Sequence, residues 1–264
     1  MYFQPIINTC FVIFSISIVN LIQINCQNSA PGIYAGILTD NSPKCVESLK
    51  QLDANSKSVL LMDGKRILPK NEPLRDQFCG PLKQLSRQAG VYLKCTTPFI
   101  GQTATILING LKKPIKHICK ASIDSIKKHY ICMDDEYIDK LLTIEAQFLD
   151  SLTALNSVNG VPRDMVVPGL CCTTNRMLDS IKAIVHKKCP DPTAKPNEFL
   201  HARVHESIRD VVDLVCGPYP TTKACFEKVP QIFQTFKSFE KGPRDLRNET
   251  FVIKLLQVLL SLSE

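Results

Sequence analysis

The chain holds five histidines, His117, His129, His186, His201 and His205, and only one pair is spaced for chemistry. His201 and His205 lie four apart in a segment with helical periodicity, so both imidazoles share a face and could meet one metal ion. Glu198 and Glu206 stand nearby as further ligands. A zincin needs its glutamate base directly after the first histidine, and Ala202 occupies that place. The pair reads as a solvated helix face, and no metal is expected. The adjacent carboxylates Asp134, Asp135 and Glu136 suit the first turn of a helix, where negative charge meets the positive end of the dipole. There is no G-x-S-x-G elbow, no recognisable cysteine–histidine signature, no Walker loop and no G-x-G-x-x-G turn. The sequence therefore predicts a non-enzymatic protein without a cofactor.

The remaining reactive side chains are twelve cysteines. From Ile6 to Ile22 the chain is mostly apolar, although no Lys or Arg precedes it. Asn20, Gln23 and Asn25 break the run where a spanning helix needs roughly 20 apolar residues, so residues 1–26 read as a signal peptide cleaved before Gln27. Cleavage removes Cys10 and Cys26 and leaves ten: Cys45, Cys79, Cys95, Cys119, Cys132, Cys171, Cys172, Cys189, Cys216 and Cys225. An even set behind a signal peptide predicts disulfides in a secreted, extracellular protein. Close C-x2-C pairs, which zinc would need, are absent.

Helical periodicity organises the chain around these cysteines. Ile138, Leu141, Leu142, Phe148, Leu149, Leu152 and Leu155 form a stripe with Asp134 placed as N-cap. Similar stripes run through Met177–Val185, Asn197–Cys216 and Ile232–Phe239, and Thr250–Leu262 is apolar nearly all round. No alternating strand pattern appears, so the expected fold is an all-α, disulfide-rich helical bundle. The stretch Asn156–Gly169, with two prolines and two glycines, divides a half at 27–155 from one at 170–264. The order Cys79, Cys95, Cys119, Cys132 is echoed by Cys172, Cys189, Cys216, Cys225, which reads as a degenerate repeat. Five cysteines per half is odd, so full oxidation requires a bridge between the halves. Matching the repeats makes Cys45–Cys171 that bridge and predicts Cys79–Cys119, Cys172–Cys216, Cys95–Cys132 and Cys189–Cys225. The neighbours Cys171 and Cys172 must take different partners.

Phe78-Cys79, then Cys95, then Ile118-Cys119-Lys120 and the Cys171-Cys172 doublet together resemble the arthropod 27 kDa haemolymph glycoprotein family. That resemblance implies an extracellular helical protein without enzymatic machinery, and carries over no functional residue.

Two surfaces remain as candidate sites. Pro114 suits the first turn of a helix to about Tyr130. On it Lys113, Lys116, His117, Lys120, Lys127 and Lys128 share an arc roughly 120° wide that also holds Asp124. With a net charge of +7, this face is a candidate for a sulfated glycan or lipid head groups. Nucleic acid is not expected, because no stacking aromatics accompany the lysines. The second candidate is an apolar ligand lined by Phe226, Phe233, Phe236, Phe239 and the last helix. Asn248-Glu249-Thr250 is an N-glycosylation sequon, and Asn248 equally suits the N-cap of that helix. Lys254 and Gln257 make the terminal run a buried amphipathic helix rather than a lipid-anchor tail, with no transmembrane segment in the mature chain. The leading expectation is a carrier of an apolar ligand, and the alternative is an extracellular interaction component binding polyanions.

Overall fold

Ser42 and Asn71 open the first two helices, each accepting a backbone N–H three residues on. They start α1 (Pro43–Val59) and α2 (Glu72–Tyr92), the latter running on into a 3-10 turn at Leu93–Cys95. After them come α3 (Ile123–Tyr130), α4 (Asp135–Leu155), α5 (Val166–Lys188), α6 (Thr222–Lys228), α7 (Pro230–Phe239) and α8 (Val252–Leu260). This computed structural model describes residues 37–39, 42–60, 62–64, 69–96, 119–130, 134–156, 161–188 and 216–261, with scattered residues between 98 and 116. Among the described residues every regular element is helical, and the fold is all-α and disulfide-bonded as the periodicity predicts.

The α4–α5 hairpin is the centre. Asp134 caps α4 through the Tyr137 amide at 2.8 Å. Tyr137, Ile138, Leu141 and Ile144 from the first half of α4 pack with Ile181 and Val185 from the end of α5, and with Ile126 of α3. At the other end Leu149, Leu152 and Leu155 meet Cys172, Cys225, Ile232, Phe236 and Val258. Burying each such aliphatic or aromatic side chain contributes about 1.5–3 kcal/mol.

Part of the expected linker at 156–169 is helix. Gly36–Glu264 form one compact unit, and Val166–Gly169 already belong to α5. Pro168 is tolerated there because the first N–H groups of a helix have no internal acceptor. A Cβ on Gly169 would come within 2.3 Å of Leu155 Cδ2, so this glycine serves close helix packing, not a linker.

Only Cys79–Cys119 has the expected pairing. The other described bridges are Cys45–Cys95, Cys171–Cys216 and Cys172–Cys225, with Cα atoms 5.5–5.7 Å apart. They replace Cys45–Cys171, Cys95–Cys132, Cys172–Cys216 and Cys189–Cys225. The reason is which helix ends meet: Ser48 Oγ on α1 donates to the Gln88 carbonyl on α2 at 3.3 Å, so the start of α1 lies beside the end of α2. Successive helical residues point about 100° apart, which sends Cys171 and Cys172 to different partners. Numbered within the proposed repeat, Cys79–Cys119 joins first to third and Cys172–Cys225 joins first to fourth, so the bonding does not recur. Cys132, Cys189 and residues 197–215 of the expected helix Asn197–Cys216 lie outside the described residues, as do residues 1–26 and Gln27.

The last helix has no cap of its own sequence. Asp53 of α1 supplies it, its Oδ1 accepting from the Phe251 and Val252 amides at 2.8 Å each. Burial pushes the Asp53 carboxyl up, against the lowering pull of these amides and Lys57. Asn248 is therefore not the N-cap and sits in an exposed turn. Ile253, Leu256, Val258 and Leu259 bury the inner face of α8, while Lys254 pairs with Glu249 at 2.6 Å. Among the described residues no helix is long and apolar enough to cross a membrane.

Candidate functional site

Within the expected basic helix 114–130 the described residues show a break at Ala121 and Ser122. Ser122 accepts from the Ser125 amide at 3.2 Å and starts α3 afresh after a bend at Ala121. A hydroxyl competing for the backbone at that point ends the earlier helical run. Lys127 and Asp124 are exposed on α3, whereas Lys116 and Lys120 precede the bend, so these described cations do not share one continuous helix. The side chains of Lys113, Lys128, His117 and His129 lie outside the described residues.

What replaces the arc is larger. Between Gln77 and Ile123 the sequence contains no Asp or Glu, yet it carries Lys83, Arg87, Lys94, Lys112, Lys113, Lys116 and Lys120. Lys113 lies outside the described residues; the other six are all exposed, and none of the six is paired with a carboxylate. Of these six only Lys112 has a side-chain partner, the Asn109 amide oxygen at 3.2 Å. The spacing 83, 87, 94 on a helix and the missing acids are legible in the sequence, and the α2 cations lie outside the arc expected on 114–130. At the start of α2 the charge turns over: Glu72 pairs with Arg75, which also lies 4.0 Å from Asp76. The Arg75 guanidinium donates to the Ala121 carbonyl at 3.2 Å and so ties the bend to α2.

The aromatic group is mostly core. Phe236 is fully buried, Phe233 and Phe239 pack against the main cluster, and only Phe226 stands out at 54 % exposure. Phe226 stacks on Phe233 with ring centroids 3.9 Å apart, and Phe233 meets Phe236 edge-on at 6.1 Å. A crevice between α4 and α5, lined by Ile144, Phe148, Thr173, Arg176 and Met177 among others, has room for about one water molecule.

Among the described residues no cluster of His, Cys, Asp or Glu could hold a metal ion. His201, His205, Glu198 and Glu206 lie outside them. Glu145 is the one described carboxyl fully buried without an ion pair or hydrogen bond, and burial raises it well above the ordinary range. It sits on the Ile138–Leu149–Leu152 stripe of α4 and faces the packed interior. No protein-family model, no curated protein and no solved structure matches this chain.

Proposed function

We propose that this chain is a secreted, non-enzymatic binding protein that engages an anionic partner through the cation-rich surface of residues 77–123. One observation carries the reading: a run without a single acid whose described cations are all exposed and lack carboxylate partners. Cations left without counter-charges raise the local potential and attract polyanions in a salt-dependent way. The four described bridges belong to an oxidising compartment, which agrees with secretion, and the resemblance to haemolymph glycoproteins points the same way. Titration of fluorescent dextran sulfate at rising salt tests it. Binding lost with the exposed cations of 77–123 neutralised, and kept with an equal charge removed elsewhere, supports the reading; equal loss in both sinks it.

A second reading, carriage of an apolar ligand, rests on exposed Phe226 stacked on Phe233. Displacement of a fluorescent fatty acid, and its loss in Phe226→Ala, is its test.

A further inference from the structure

We infer that Asn248 carries an N-linked glycan, held outward on a turn that the rest of the chain builds and leaves clear. The site rests on the secreted reading above, because only a chain that enters the secretory compartment meets the transferase.

Asn248-Glu249-Thr250 is the single N-x-S/T sequence in the 264 residues. An asparagine at such a place has three other uses: a helix N-cap, a side chain bonded to its own turn, or a satisfied core amide. The fold assigns none of them to Asn248. Asp53 accepts from the first amides of α8, so that helix takes its cap from α1. The side-chain bond within the turn belongs to Asp245, whose Oδ1 accepts from the Arg247 amide at 2.9 Å. Asn248 itself is exposed, and its carboxamide makes no hydrogen bond within the fold.

The residues around it are all engaged. The Glu249 amide donates to the Leu246 carbonyl at 3.1 Å, closing a β-turn with Arg247 and Asn248 at its corner. Leu246 is buried. The Arg247 guanidinium pairs with Asp245, and its stem lies over Gly64, where a Cβ would come within 2.9 Å of the Arg247 Cδ. Glu249 is held by Arg244 at 2.9 Å and by Lys254 at 2.6 Å. From α1 the Lys57 ammonium donates to the carbonyls on either side of Asn248, that of Arg247 at 3.0 Å and that of Glu249 at 2.9 Å. From Arg244 to Glu249, Asn248 is thus the one residue whose side chain is left to solvent without a partner.

The chemistry is a group transfer. The Nδ2 atom of Asn248 bonds to the anomeric carbon of an oligosaccharide carried on a lipid pyrophosphate. The bond from that carbon to the pyrophosphate oxygen breaks, the lipid pyrophosphate leaves with the electron pair, and the amide nitrogen gives up one proton. The transferase reads the hydroxyl two residues on, and the Thr250 hydroxyl also makes no hydrogen bond within the fold. A glycan added to the unfolded chain is compatible with folding only where the native state leaves it in water, since its many hydroxyls are costly to bury. The corner of this turn meets that condition, because a sugar on Nδ2 displaces no contact of the protein.

The test uses the full chain expressed through a eukaryotic secretory pathway. Intact-mass spectra of protein from the medium, before and after peptide-N-glycosidase, should differ by one glycan on most molecules. Digestion in heavy-oxygen water should leave a labelled aspartate in place of Asn248. Asn248→Gln and Thr250→Ala should each abolish the mass shift, whereas Thr250→Ser, which keeps the hydroxyl, should retain it; circular dichroism checks that all three are folded. Secreted protein in which Asn248 is mostly unmodified overturns the site and leaves the secreted reading standing. A chain retained in the cytosol with reduced cysteines overturns both.

Discussion

Arg244→Ala is expected to destabilise this protein by about 3–5 kcal/mol, the cost of leaving a buried carboxylate unpaired. The partner is Asp150 on α4, whose side chain is 1 % exposed. Two guanidinium nitrogens reach it at 2.8 and 3.0 Å, and the Lys241 amide adds a bond at 2.9 Å. Without Arg244 that amide alone remains to hold a negative charge in the interior. The reverse substitution is milder. In Asp150→Ala the guanidinium, 18 % exposed, keeps Glu249 at 2.9 Å and some water, so the loss is about 1.5–3 kcal/mol, that of a hydrogen bond to a charged group. The double variant should cost less than the sum, since it strands neither charge. Urea denaturation with unchanged m-values measures all three. The reasoning is refuted if Asp150→Ala costs as much as Arg244→Ala, because the asymmetry comes directly from the burial of the two partners.

Further outcomes follow from single residues. Lys254 and Arg244 hold the Glu249 carboxyl down to about 2 against the opposing effect of burial; a lowered folded value means stability present above the unfolded value of roughly 4.3 and lost as the pH falls toward 2. Acid titration of stability should show this limb, and Glu249→Gln should flatten it. Glu145 has the opposite sign: its raised folded value penalises the native state at neutral pH, so Glu145→Met should stabilise the protein by about 1–3 kcal/mol of relieved desolvation, read as a higher thermal midpoint. The glycines of α2 and α5 should respond oppositely to alanine. Gly90→Ala gains about 1 kcal/mol in open space, and Gly169→Ala loses about 1–3 kcal/mol against Leu155 and Ile232, both read by thermal unfolding. Finally, four bridges account for eight of the ten cysteines beyond residue 26, and the packing of Tyr137 and Ile138 on Ile181 and Val185 brings the start of α4 to the end of α5. Non-reducing peptide mapping should therefore find Cys132 joined to Cys189 as the link between the halves; either thiol free, or bonded elsewhere, overturns the parity argument.

Much of this protein is written locally. A 3.6-residue stripe can bury only as a helix, so the fold class, the cap at Asp134, the helices α4, α7 and α8 and the Met177–Val185 stripe of α5 are legible from residue order alone, whereas α6 and the start of α5 are not. The separate fates of Cys171 and Cys172 needed only bond geometry. The other pairings did not follow, because a disulfide joins helix ends that tertiary packing brings together, and cysteine spacing does not encode which ends meet. The same holds for the last helix: its N-terminal amides are satisfied by Asp53, 198 residues earlier in the chain, where a local reading looks to Asn248. The cationic surface divides along the same line. The acid-free run is a property of the sequence. Which of its described cations stand exposed and away from any carboxylate is decided only by the packed chain.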